Sequence, residues 1–297
     1  MQIICPFPAD FHKCLTKYTS LSCVKLQHTL KTSIHLSTLD LLINMDKPDI
    51  IEVTPSNIDR YGVGCIRNKN HPGVKEKIKW YKDHYHTGLR MLQAYVDGKL
   101  SGFLEYVSGG NPWRPVIAED YLFIHCIWVY ENRLQGEGLG SLLINKCIDA
   151  ARDSERLGVA TISSRGSWLA DERIFLKNGF EKITSKERFD LLVFKLKRGR
   201  LPEFIKWEEQ AGDHPGTTLV LSHQCPANAR ALQDIERIAE EEGIDLNINF
   251  LRDVCQAQRA PSGFGVFQLL HNGKVLEDHY ISGTRFRNII REDIIRS

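Results

Sequence analysis

The stretch Ile127 to Ser141, IWVYENRLQGEGLGS, constrains this chain more than any other. An apolar strand end (Ile127, Trp128, Val129) runs into a short polar loop. The glycine-punctuated turn Gln135-Gly136-Glu137-Gly138-Leu139-Gly140 follows, and Ser141 opens an apolar run, LLINKCIDAA, with helical period. Strand, glycine turn and helix start in that order make an anion cradle. Glycines let the backbone approach a phosphate closely, and the free N–H groups of the first helical turn point at it. The turn lacks the Lys-Ser/Thr ending of a nucleotide P-loop and the three-glycine spacing of a dinucleotide turn. A glycine turn that binds nothing is the plain alternative.

The 297 residues are enough for two domains with real cores, and the composition (42% hydrophobic, 26% charged) is that of a globular chain. A net charge of +2 gives no argument for nucleic acid or an anionic membrane surface. No apolar run approaches the ~20 residues of a membrane span. Eight cysteines in a chain this long read as reduced cytoplasmic thiols rather than a disulfide framework. Residues 1–45 differ from the rest. Cys5, Cys14 and Cys23 fall there without metal-ligand spacing, and residues 1–44 hold no Gly, Glu, Arg or Trp. We expect an N-terminal extension outside the fold, with the functional protein opening near Met45.

From residue 46 the pattern becomes regular. It reads as a strand at Ile50–Val53, helices at Ile58–Arg67 and Val74–Gly88, and a hairpin over Leu89–Val107 turning at Asp97-Gly98. Tyr121–Val129 is a long apolar strand bearing one histidine. After the glycine turn come a helix to about Leu157, a strand at Val159–Ser164, a helix at Trp168–Asn178, and strands at Phe180–Thr184 and Phe189–Leu196.

The Gln135–Gly140 loop resembles the Gln/Arg-x-x-Gly-x-Gly/Ala loop of the GNAT superfamily of N-acetyltransferases. Leu176-Lys177-Asn178-Gly179-Phe180 looks like that family's second signature, and the element order over about Asp46 to Lys197 is similar to the whole GNAT fold. The resemblance implies acetyl-CoA as co-substrate. Its pyrophosphate would lie on Gln135, Gly136, Glu137, Gly138, Leu139, Gly140 and Ser141, and its pantetheine would run along the backbone near Ile127 and Val129. It also implies an amine acceptor and direct transfer in a ternary complex. His125 lies four residues before Val129 on the same strand face, an offset at which arylalkylamine acetyltransferases carry a catalytic histidine. Its ordinary pKa suits amine deprotonation. The alternatives are a structural histidine inside the sheet, with Glu119 and Asp120 as competing bases and Glu105 behind them. The family's usual general-acid tyrosine is replaced by Phe175, with Tyr121 and Tyr130 as conceivable substitutes; a pseudoenzyme that binds acyl-CoA without transfer is the dissenting reading.

Residues 200–216, rich in Pro and Gly, read as a linker. Residues 217–297 then read β-α-β-loop-β-β-α: a strand at Thr217–Ser222, a helix over Ala227–Glu242, a strand at Leu246–Leu251, a hairpin across Asn272-Gly273, and a closing helix at Thr284–Arg291. This resembles a thioredoxin fold, with Ala260-Pro261 where that fold has its cis-proline, and the pairing resembles the YoaP-like acetyltransferases. The Cys-x-x-Cys dithiol is missing because Asn228 stands in the second position. Cys225 nevertheless precedes a helix, where the dipole favours thiolate. It is the possible thiol site in this half, with Cys255 in the loop before Pro261 as a cysteine that could approach it.

We therefore expect an α/β (α+β) chain with a mixed sheet: a GNAT domain at 46–199, a linker, and a smaller thioredoxin-like domain at 217–297. The expected activity is acetyl-CoA-dependent N-acetylation of a primary amine, with no metal, nucleic acid or membrane involved. The alternative is a thioredoxin-like thiol protein with an accessory acyl-CoA-binding domain.

Overall fold

The computed structural model describes residues 48–130, 138–166 and 168–295. The expected extension 1–45, with its three cysteines, lies outside those residues, as do Gln135, Gly136 and Glu137. From Pro48 onward the chain forms one compact unit.

Its centre is a mixed seven-stranded sheet. The strands are β1 (Asp49–Val53), β2 (Arg90–Val96), β3 (Lys99–Ser108), β5 (Tyr121–Val129), β6 (Gly158–Ser164), β7 (Glu181–Lys186) and β8 (Phe189–Lys195), in the order β1-β2-β3-β5-β6-β8-β7. Only the central β5–β6 pair is parallel; every other neighbour runs antiparallel. A parallel pair needs a crossover, which the helix Leu139–Asp153 supplies. The β2–β3 turn has Asp97 and Gly98 both at positive φ (51° and 71°), the geometry that matches strand twist in a two-residue hairpin.

The helices come out shorter than the periodicity predicts. α1 spans only Ile58–Tyr61 because Gly62, at φ 73°, turns the chain away. α2 is Gly73–His84, α3 is Leu139–Asp153, and α4 is Glu172–Lys177. α4 begins late because its cap is Asp171, whose side chain accepts from the N–H of Arg173, while Trp168 sits at φ 80° outside any helix.

A second sheet of four strands follows: β10 (Thr217–Leu221), β11 (Leu246–Phe250), β12 (Phe267–His271) and β13 (Lys274–Glu277), in the order β11-β10-β12-β13. β10 and β11 are parallel and joined by α5 (Asn228–Glu242); the other pairs are antiparallel. α6 (Val254–Gln258) fills what the sequence reads as loop, and α7 (Gly283–Ile289) closes the chain. The Ala260–Pro261 bond, expected cis by the resemblance, is trans; it leaves the last turn of α6 instead of entering a strand.

The segment read as a linker is folded. Its two-residue strand β9 (Glu203–Phe204) pairs with β4 (Val116–Ile117). Trp207 behind it is buried, its ring edge-on to Phe189 and Phe204, and its Nε1 donates to Glu187 Oε1 at 3.0 Å. Glycine and proline set the turns, but one buried tryptophan decides that the segment packs. The two sheets accordingly share one core, in which Val53, Trp113 and Phe189 join Leu219, Phe264 and Phe267. Among the described residues no helix is long and apolar enough to cross a membrane.

The halves meet most tightly where α2 begins. A Cβ on Gly73 would lie 2.0 Å from the carbonyl oxygen of Pro226, so the two backbones must separate to admit any side chain. Gly73→Ala is expected to cost about 1–3 kcal/mol by overpacking. Gly212→Ala, which meets nothing within 4 Å, should stay within about 0.5 kcal/mol. Denaturant melts of the two variants check this.

Candidate active site

The site begins where β5 leaves β6. Their ladder runs from Tyr121/Gly158 to Ile124/Thr161 and stops, although both strands continue. The last rung is pinned by Thr161 Oγ1 donating to Ile124 O at 3.1 Å. On its other side β5 stays paired with β3, but the register shifts: Glu105 faces Cys126 while Tyr106 faces Ile124. His125 is the extra residue of that bulge. A bulge bends its strand and increases local twist, which carries Ile127 and Trp128 away from β6.

Two cavities open in the wedge. The first, about 620 Å³, has Ile127, Trp128 and Val129 along one side and reaches Gly138, Gly140 and Ser141 at the start of α3. The two glycines there serve different ends. Gly138 caps α3 at φ 90°, a backbone that side chains rarely adopt, and a Cβ on it would meet open space. Gly140 is needed for contact, since its Cβ would come within 2.6 Å of Ile174 Cδ1. Arg173 and Lys177 of α4 line the opposite side together with Asp171, whose carboxylate pairs with the Arg173 guanidinium at 2.8 Å, so these three leave one net positive charge near a helix N-terminus. Neither cation is among the residues the sequence pointed to; the i,i+4 spacing of Arg173 and Lys177 in ERIFLK, which puts both on one helix face, is the signal that could have found them.

The second cavity, about 580 Å³, shares Ile127, Trp128 and Ala170 with the first. Phe103, Phe175, Cys65 and Cys126 line it from the large sheet and its loops, and Cys225, Pro226 and Ala227 from the second half. This wall from the far end of the chain is not readable from local sequence.

His125 lines the second cavity, but its Nε2 is engaged. The Trp113 N–H donates to Nε2 at 2.9 Å, which places the neutral ring's proton on Nδ1, facing Glu105 Oε1 at 3.3 Å. Glu105 is itself held by Lys77 Nζ at 2.5 Å and by Nε2 of Gln224, from the second half, at 2.8 Å. All four side chains are buried. Burial pushes the imidazole down to about 4, although the neighbouring carboxylate favours its charged form. Burial also disfavours the Glu105 charge, but the Lys77 cation and the His125 ring outweigh it and hold the carboxyl below its ordinary range. The sequence pointed to His125 and Glu105 separately; their union with Lys77 and Gln224 needs contacts 28 and 119 residues apart.

Glu119 and Asp120, the competing bases, are exposed at the opposite end of β5 and line neither cavity. Tyr121 sits beside them. Tyr130 donates to the carbonyl of Gly64 and stacks under Arg67, 4.1 Å from the guanidinium. Phe175 does reach the second cavity, as an apolar wall. Cys225 also reaches it, but the expected thiolate does not follow. Burial pushes its thiol up and outweighs the N–H groups of Ala227 and Asn228 and the cations Lys77 and Arg114. Asn228, in the place of a second thiol, is a structural bracket, donating to Ser222 O at 3.0 Å and Val266 O at 2.7 Å. The alternative of a thioredoxin-like thiol protein with an accessory acyl-CoA-binding domain finds no support here.

Residues 59–167 match the family model described as "Acetyltransferase (GNAT) family". Over those residues the chain is similar to a GNAT acetyltransferase domain. That match runs from α1 through α3 and β6, so both splayed strands lie inside it. Over 249 residues, 81% of this chain and 97% of the relative, the protein is 24% identical to the "Uncharacterized N-acetyltransferase YoaP" of Bacillus subtilis (strain 168). Among solved structures, the PaiA N-acetyltransferase of Thermoplasma acidophilum in complex with coenzyme A is 13% identical (TM-score 0.35), covering 50% of this chain and 99% of that one. YncA, a putative acetyltransferase of Salmonella typhimurium with its cofactor acetyl-CoA, is 17% identical (TM-score 0.38), covering 53% and 99%.

The buried network around Glu105 gives a signed pH prediction. Because the folded state holds His125 neutral down to about 4, acidification below about 6.5 protonates the unfolded chain first, and stability falls with pH. Glu105, held below its ordinary range, adds to the loss below about 4.3. Urea midpoints measured from pH 7 to 5 should fall in the wild type and fall less steeply in His125→Gln. Glu105→Gln, which strands the Lys77 cation, should cost about 3–5 kcal/mol at pH 7.

Proposed function

We propose that this protein is an acetyl-CoA-dependent N-acetyltransferase that moves the acetyl group to a primary amine by direct transfer in a ternary complex. The observation that carries the reading is the meeting of two cavities at one strand end. The groove over Ile127–Val129 and the α3 N-terminus suits a phosphate-bearing, extended co-substrate, and the second cavity suits an acceptor. In this reading Gly138, Gly140 and Ser141 hold the pyrophosphate together with Gln135, Gly136 and Glu137. The backbone of β5 near Ile127 and Val129 takes the pantetheine, and an N–H of that strand polarises the thioester carbonyl.

The amine nitrogen attacks the acetyl carbonyl, the carbon–sulfur bond breaks, and the proton that the nitrogen sheds as it becomes an amide goes to the departing thiolate. With its Nε2 lone pair accepting from Trp113, His125 serves best as a positioning residue that fixes the bulge, in place of the general base that its strand offset suggests. An apolar cavity disfavours an ammonium and selects the free amine, so the proton is lost before entry. Juxtaposition of the two substrates supplies the rest of the rate.

Calorimetric titration with acetyl-CoA is expected to show binding that Gly138→Trp weakens at least about tenfold, since it strains the cap and fills the groove. No binding by the wild type would overturn the proposal. Over pH 6–9, kcat/KM should rise with the fraction of free amine and follow the acceptor's own pKa. A bell with an acid limb near about 6.5 would instead restore His125 as the base.

A further inference from the structure

The acceptor cavity has an unusual lining. Among the described residues that form it there is no Asp, Glu, Lys or Arg, and its one imidazole is held neutral by burial. Three cysteines, Cys65, Cys126 and Cys225, face it with thiols that burial pushes up in each case, so they add polarisable surface and no charge. A ligand carrying a second ammonium or a carboxylate would have to shed its water there without a partner.

The mouth is aromatic. Trp128 is 56% exposed and Trp168 is 44% exposed, and both line this cavity. Large rings left in water at the edge of a pocket mark a recognition surface more often than a packing fault. Trp168 is also held at φ 80°, a backbone conformation that a bulky residue pays for in strain. Tyr280 of the second half supports it, ring centroids 4.8 Å apart. The second half thus builds one wall of the cavity through Cys225–Ala227 and props one of its two rings.

We infer that the acceptor is a small monoamine on an uncharged, ring-bearing body, the ring meeting Trp128 and Trp168 and the amine reaching toward Ile127. The volume, about 580 Å³, lies in the ordinary range of small-ligand sites. This assignment rests on the acetyl-transfer reading and narrows it.

The test uses the full chain with acetyl-CoA and follows coenzyme A release with three probes: 2-phenylethylamine, spermidine, and an acidic hexapeptide with a free N-terminus. kcat/KM for 2-phenylethylamine should exceed the other two by about tenfold or more. Trp168→Ala should raise its KM about tenfold with kcat within about threefold, and Trp168→Phe should recover most of the loss. Unchanged acetyl-CoA affinity shows that the variants are folded. Preference for spermidine or the peptide, equal use of all three, or a KM indifferent to Trp168→Ala overturns the inference. So does a chain that binds acetyl-CoA and acetylates none of the three. A chain that fails to bind acetyl-CoA overturns the acetyl-transfer reading itself, and the inference with it.

Discussion

Two parallel strands that part inside a sheet leave a wedge, and the sheet survives only if something holds the bend. Here the bend is the bulge at His125, which ends the β5–β6 ladder after the Ile124/Thr161 rung. The imidazole is gripped from one side by the Trp113 N–H and faced from the other by Glu105. A neutral ring in a low-dielectric site makes a better bracket than a charged one, because it needs no counter-ion of its own. Everything functional is displaced from this point: the groove over β5, the cap of α3, and the second cavity.

The buried carboxylate beneath the bulge explains why the second half belongs to the site. A lone carboxylate in the core would be costly, and Lys77 neutralises its charge. Gln224 then satisfies the Oε1 that also faces the imidazole. The halves are further tied by Arg188 to Asp278, Nη2 to Oδ1 at 2.6 Å, and by the backbone approach of Gly73 to Pro226. The second half is therefore a structural part of the second cavity, whatever its ancestry; its thiol is a half-buried wall group and its missing second cysteine is a hydrogen-bonding asparagine.

Much of this was legible in the residues. β5 and the Asp97-Gly98 and Asn272-Gly273 turns follow from a long apolar run and left-handed turn residues, all local signals. Helix lengths were not: α1 stops at Gly62 and α4 waits for Asp171, and periodicity is blind to both until the caps are known. The folded strap at Glu203–Trp207 was hidden because turn residues dominated its composition while one tryptophan determined its packing. The network of Lys77, Glu105, His125 and Gln224 was invisible for a different reason. Each residue is unremarkable locally, and only the tertiary fold converts them into one hydrogen-bonded unit. His125 illustrates the limit: its strand position was readable, but the donor that occupies its lone pair was not.

The most direct test of the central claim, that the splayed edge of β5 and the α3 N-terminus seat one extended co-substrate, is amide hydrogen exchange with and without saturating coenzyme A. Slowed exchange in both the Ile127–Val129 segment and the first turn of α3, with β10 to β13 little changed, is the predicted result. Protection absent from both segments, or confined to the four-stranded sheet, would contradict the account.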